Sequence, residues 1–181
     1  MPRLTNPAEI TQEIRNVRQT RQYTSGAVSD DTITELLEIA RWTGSSRNTQ
    51  PWHFIAITDR DLLRAISQLR PAINWVAAAP LGISIVLDGD AEPSEAYDEG
   101  RVIERLMIGA HLLGLHSGVA WFGDNDQQAQ AKRLLNIPTG RTARSLVAVG
   151  HATTTVDPRP NPAQGGRKPL DEVASYNRME G

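Results

Sequence analysis

The 181-residue sequence has no cysteine, only two phenylalanines and three tyrosines, and no surplus of either charge: 19 Lys and Arg stand against 21 Asp and Glu, a formal −2. Each shortage removes something. Without cysteine there are no disulfides, no thiolate nucleophile and no cysteine-ligated zinc. A balance of −2 gives no bulk electrostatic pull toward nucleic acid or an anionic membrane. No apolar run approaches the roughly 20 residues that a helical membrane span needs. The opening MPRLTNPAEITQEIRN carries no apolar signal core. A cytoplasmic protein is expected, with neither nucleic acid nor membrane as a partner. Walker loop, G-x-G-x-x-G and G-x-S-x-G are all missing, which disfavours a P-loop, a dinucleotide fold and a hydrolase elbow. The histidines His53, His111, His116 and His151 share no metal-ligand spacing; His111 and His116, five apart, would occupy different faces of a helix. No metal is expected.

What is present alternates between helix and strand signals. Residues 1–181 read as one domain with enough chain to bury a core. Asn6-Pro7-Ala8-Glu9 opens a helix whose apolar face is Ile10, Ile14 and Val17. Ser29-Asp30-Asp31 caps a second, with Ile33, Leu36, Leu37 and Ala40 on one side, and Asp59 caps a third carrying Leu62, Leu63, Ile66 and Leu69. Strands are expected at 52–57, 82–87, 117–122 and 145–150, with a further helix near 126–135. Such alternation predicts a sheet covered by helices on both faces. The longest periodic run is 95–115, and from Leu106 to Leu115 it is apolar almost all round; in so small a chain this favours a subunit interface. Segment 153–169, TTTVDPRPNPAQGGRKP, is rich in Pro and Gly and should be extended. Leu170-Asp171-Glu172-Val173 could anchor its far end.

Three polar stretches invite chemistry. Gly44 to Trp52, with Ser45, Ser46, Asn48, Gln50 and Pro51, is more polar than a connection between helix and strand requires, and short polar groups on a tight backbone suit a flat polar ring. Arg18-Gln19-Thr20-Arg21 closes the first helix; two arginines three apart can fork onto a phosphate, but spacing alone favours a basic helix end that complements the dipole. Gly165-Gly166-Arg167-Lys168 is either a flexible basic segment or a backbone that approaches a phosphate.

These residues resemble the nitroreductase family of FMN-dependent oxidoreductases, from about residue 15 to 173. Arg18-Gln19-Thr20-Arg21-Gln22-Tyr23 is similar to the family's opening motif, and Ala40 to Trp52 to its most specific one. Gly114 to Gly123, Leu135-Asn136-Ile137-Pro138, Val147 to His151 and Arg167 to Val173 match later segments. The resemblance implies an α+β fold of three α-β-α layers, a central mostly antiparallel sheet flanked by helices, and an intertwined homodimer with FMN in the subunit interface. It implies that Arg18, Gln19, Thr20 and Arg21 hold the phosphate and the polar side of the flavin, that Arg167 and Lys168 join the phosphate, that Ser45, Ser46 and Asn48 reach the ring from the partner chain, and that Gln50 also belongs to the cofactor site. Phe122 and Gly123 would lie against the pyrimidine edge and N5. NADH or NADPH would donate hydride and leave, and a nitroaromatic, quinone or enone would then take its place in a ping-pong cycle. No protein nucleophile is implied. A flavin store or sensor without turnover is the alternative. Three departures stand out: Gln19 where Ser is common, Thr43-Gly44 where Ala-Pro is usual, and His116 where Gly is common.

Overall fold

The computed structural model describes residues 6–153 and 167–179. In chain order the elements are α1 (Pro7–Asn16), α2 (Asp30–Arg41), β1 (Trp52–Ile57), α3 (Arg60–Ser67), β2 (Leu81–Leu87), α4 (Glu92–Leu112), β3 (His116–Trp121), α5 (Asn125–Leu134), β4 (Thr142–Gly150) and α6 (Leu170–Val173), with short 3-10 stretches at Ser46–Asn48 and Pro71–Ala78. The helices begin where cap chemistry dictates. Asn6 accepts from the Ala8 amide at 3.0 Å, Ser29 from Thr32 at 3.3 Å, and Asp59 from Asp61 and Leu62 at 2.8 and 3.2 Å. Asp124 and Gln127 form a full capping box at the start of α5.

The four strands pair antiparallel in the order β1-β2-β4-β3. That order makes β1 and β3 the two edges, about 14 Å apart at the usual strand spacing. Central β2 is buried along its whole length. Its alternation sends Leu81, Ile83, Ile85 and Leu87 to the side of α2 and α4, where Leu36, Val102, Leu106 and Val147 complete one core. Val86 points the other way, with Leu63, Ile66, Val76, Phe122 and Leu146 under α3, the Pro71–Ala78 stretch and α5. Each fully buried Leu or Ile contributes about 2 kcal/mol of apolar transfer. The expected sheet with helices on both faces is therefore present.

Two expectations about helix faces need correction. Leu106, Met107, Ala110 and Leu115 are buried within one chain, because α4 lies between α2 and strands β3 and β4. The apolar half of this helix is thus accounted for internally and is not by itself an interface. Its exposed stripe carries Tyr97, Arg101, Glu104, Arg105 and Leu112. Conversely, α1 buries none of its residues, and Ile10 and Ile14 remain exposed. Most of 153–169 lies outside the described residues.

The first half of α4 carries three buried carboxylates. Glu95 accepts from the amides of Gly89, Asp90 and Ala91, closing the turn after β2. Asp98 faces the 45–50 loop. Glu99 holds Arg144 at 2.9 Å and the Ser145 hydroxyl at 2.6 Å, clamping α4 to β4.

Candidate functional site

The free edge of β3 is where the first basic motif lands. Gln19 bridges Ser117 in parallel, and the Thr20 amide donates to the Ser117 carbonyl at 2.8 Å. The Gln19 side-chain oxygen then accepts from the Val119 amide at 3.2 Å. This close approach needs Gly118, since a Cβ there would lie 2.2 Å from the Thr20 carbonyl oxygen. Thr20 is buried beneath, and the Tyr23 hydroxyl sits 3.1 Å from the Thr20 carbonyl and 3.2 Å from that of Ala148. Burial pushes the Tyr23 phenol well above its ordinary value of 10.0, so it stays a neutral donor. Past Val119 the edge is open: ladder alternation turns the Trp121 N–H and C=O away from β4.

Two arginine–indole pairs flank this edge. The Arg21 guanidinium carbon lies 5.9 Å from the Trp75 ring, and Trp75 itself packs at Gly118 and Tyr23. Arg70 lies 5.0 Å from the ring of Trp121, which is 52% exposed. Neither arginine has a carboxylate partner among the described residues.

Arg18 does the helix-end work that spacing alone favours. One of its terminal nitrogens donates to the carbonyls of Arg15 and Val17, closing α1. The same residue lines a cavity of about 120 Å³ with Asn16, Met107, His111, Leu115, His116 and Ser117. His111 pairs with Glu13 at 2.7 Å. His116 is held below its ordinary 6.5, first by burial and then by the positive potential of His111 and His151. The expectation that His111 and His116 occupy different helix faces is corrected: α4 ends at Leu112, Gly114 at φ +76° reverses the chain, and His116 meets His111 from β3. Among the described residues no cluster could hold a metal ion.

The second motif forms a strained loop. Arg47, Asn48 and Gln50 all take left-handed backbone, at φ +52°, +56° and +49°, each costing about 1 kcal/mol for a non-glycine residue. Ser45 holds the loop, its carbonyl taking the Asn48 amide at 3.1 Å and its hydroxyl the Gln50 amide at 2.8 Å. Asp98 accepts the Ser46 amide at 3.4 Å from below. Ser46, Asn48 and Gln50 are exposed, and Ser45 is half-buried.

The chain does not bring these two groups together. The loop sits on α4 at Asp98 and leads into β1; Arg18 and Arg21 sit by β3, with Arg18 opposite His111. From Asp98 to His111 is about 20 Å along the helix, and β1 and β3 are opposite edges. Phe122 also departs from expectation. Its side chain is fully buried in the core and its amide donates to the Arg144 carbonyl, so its ring faces the core rather than the open edge. Gly123, at φ +123°, follows with the Gln127 side chain against it. Arg167 and Lys168 are exposed and make no hydrogen bond among the described residues. Trp75, Trp121, Arg70 and Asp98 escape sequence reasoning. Only Trp121 leaves a trace, as a large aromatic on the last residue of an alternating strand.

Residues 14–83 match the family model described as the nitroreductase family. A Methanothermobacter thermautotrophicus protein described as an NADH dehydrogenase/NAD(P)H nitroreductase is 27% identical over 149 residues, 79% of this chain and 77% of its own. Over residues 14–83 the chain is similar to the nitroreductase family. A Helicobacter pylori member described as an oxygen-insensitive NADPH nitroreductase is 51% identical over a shorter stretch of 78 residues, 43% of this chain and 36% of that one. Among solved members, a Bacteroides thetaiotaomicron structure at 18% identity superposes with a TM-score of 0.85 over 97% of this chain and 100% of that one, which establishes the fold. A Desulfovibrio desulfuricans member, described as a nitroreductase in complex with FMN, is 26% identical with a TM-score of 0.77 over 97% and 99%. Among the described residues no helix is long and apolar enough to cross a membrane.

Proposed function

We propose that the protein is an FMN-dependent NAD(P)H oxidoreductase that passes hydride to a flat, electron-poor acceptor by a ping-pong cycle, working as a homodimer. The open edge of β3 carries this reading. It offers outward backbone groups at Trp121, the free amide nitrogen of Gln19, and two guanidiniums, Arg18 and Arg21, without carboxylate partners. That donor set fits a flavin mononucleotide, whose pyrimidine edge accepts hydrogen bonds and whose tail is a phosphate. The FMN complex of the Desulfovibrio relative and the NAD(P)H donors named for the Methanothermobacter and Helicobacter proteins support the same assignment.

Hydride transfer is the chemistry that the flavin supplies when bound. The chain's own residues bind and orient. Arg21, backed by Trp75, would hold positive charge on the pyrimidine side and favour the reduced, anionic form. The Gly123 backbone would aim at N5. Arg18 would hold the phosphate, with Arg167 and Lys168 as further cations. Ser45, Ser46, Asn48 and Gln50 would complete the site from a second copy, because the two motifs lie too far apart within one chain. The exposed Ile10 and Ile14 on α1, and Leu170, Val173, Tyr176 and Met179 near the C-terminus, supply apolar surface for that second copy.

The test is the visible spectrum of the purified protein under anaerobic conditions, before and after NADH and then NADPH. Flavin bands that bleach support the proposal and name the donor. Bands that persist with both donors favour a flavin store or sensor, and a protein that stays colourless after soaking in FMN refutes the assignment.

A further inference from the structure

Arg70 is not part of either basic motif, yet it reaches the same edge. It adopts extended backbone, φ −161° and ψ 149°, immediately before Pro71, whose ring fixes the start of the 3-10 stretch. Its guanidinium lies over the indole of Trp121, the last residue of β3. Among the described residues the guanidinium makes no hydrogen bond and no ion pair. A guanidinium carbon 5.0 Å from an indole centroid is held by cation–π attraction, while its N–H donors, unpaired among the described residues, remain available. Trp121 itself is half-exposed at the open edge, two residues before Gly123.

On the reading proposed above, Trp121 and Gly123 border the reactive side of the flavin, where donor and acceptor alternate. We propose that Arg70, seated on Trp121, anchors an anionic group carried by a planar aromatic substrate. It is thus a specificity-determining residue for a carboxylate or phosphate. Trp121 has a part of its own: it holds the fork in place and presents an apolar ring beside which a flat substrate can lie. Two sources carry the required chemistry, a carboxylate on the acceptor and the additional phosphate that distinguishes NADPH from NADH. In either case the cation would discriminate the charged member of a pair from its neutral or less charged counterpart.

The flavin-loaded protein and its Arg70→Met and Arg70→Lys variants are compared in binding 4-nitrobenzoate and nitrobenzene, by quenching of tryptophan fluorescence. KM is measured for NADPH and NADH alongside. The Arg70 side chain makes no hydrogen bond to the chain, and its backbone carbonyl, which accepts from the Ile73 amide, is untouched by substitution, so both variants should fold and keep their flavin. Loss of a charge-assisted contact should weaken the charged member of one pair about tenfold, leave its counterpart within about twofold, and be partly restored by Lys. A selective loss for 4-nitrobenzoate places the anion on the acceptor, and one for NADPH places it on the donor; either supports the proposal. Equal losses within both pairs, or none, overturn it. Absence of flavin bands would instead refute the parent reading, and is visible before any of these ligands is added.

Discussion

Gln19 places its side-chain oxygen 3.2 Å from the Val119 amide and so caps, with a side chain, the edge that Thr20 pairs by backbone. The parallel pairing of residues 19–20 with β3 therefore stops there, and the strand's last outward groups are left for something else. Gln19→Ala should free the Val119 amide. Because this bond is exposed, stability should fall by no more than about 1 kcal/mol. Hydrogen exchange at Val119 should quicken while that of Val147 across the ladder stays slow. Unchanged exchange at Val119 would mean that the glutamine is not what protects it.

Gly118→Ala is expected to be costly. The new Cβ would sit 2.2 Å from a backbone carbonyl, which has no rotamer to escape into. The 17–20 segment must move away from β3, at about 2–3 kcal/mol. Urea unfolding should show the loss, and flavin content should fall with it. Full flavin occupancy in a destabilised variant would separate the segment's position from cofactor binding.

The clamp between α4 and β4 depends on Glu99. Removing its carboxylate with Glu99→Ala leaves the mostly buried Arg144 charge with only the exposed Glu92, 3.7 Å from its second terminal nitrogen, which has no hydrogen-bond partner. Breaking such a pair costs about 3 kcal/mol. Thermal melts of this variant beside Glu99→Gln, which keeps the Ser145 contact, test the assignment. Equal melts for wild type and Glu99→Ala would contradict it.

Acid should destabilise the fold through His116. Its folded pKa lies below the ordinary 6.5, because burial and the neighbouring His111 and His151 oppose a charge there. Arg18 lines the same cavity, and Glu13 is paired with His111 rather than with His116. Its contribution is complete above 6.5 and is lost as pH falls through the depressed value, since the unfolded state takes the proton first. His116→Gln should flatten that part of the stability profile. A wild-type profile with no slope below pH 6.5 would rule the effect out.

Leu112 is 40% exposed on α4's solvent stripe. Leu112→Glu should leave the single chain folded, since nothing internal depends on the leucine. If the stripe packs against a second copy, light scattering should report a monomer. A folded variant of unchanged mass would move the contact elsewhere, with the exposed isoleucines of α1 the next place to test.

Much of the architecture was legible because it is written locally. Asn6, Ser29 and Asp59 each announce a helix by a short polar side chain followed by a matched first turn, and the strands alternate as their burial requires. α4 begins three residues ahead of the apolar period that marks it, because Glu92 and Pro93 are exposed and carry no such period. The apolarity from Leu106 to Leu115 does not by itself require an interface, because a helix sandwiched between another helix and a sheet needs it too. Arg70 on Trp121, Asp98 beneath Ser46, and His111 beside His116 were not legible. Each joins residues from separate elements whose meeting is decided by sheet order and by one reversal at Gly114. The inward ring of Phe122 was not legible for a related reason, since its burial in the core is decided by the packing of β3 against β4.

The three left-handed residues at 47, 48 and 50 bear on how this protein could be engineered. Replacing Arg47 by glycine would relax left-handed backbone that a long L-side chain holds under tension, so a screen for heat resistance would be drawn to this loop early. The same tension keeps the amides and short side chains of the loop in one arrangement before any partner arrives. A variant selected only for surviving heat would therefore trade readiness for endurance, and it would do so at a spot far from the hydrophobic core, where such a trade is seldom looked for.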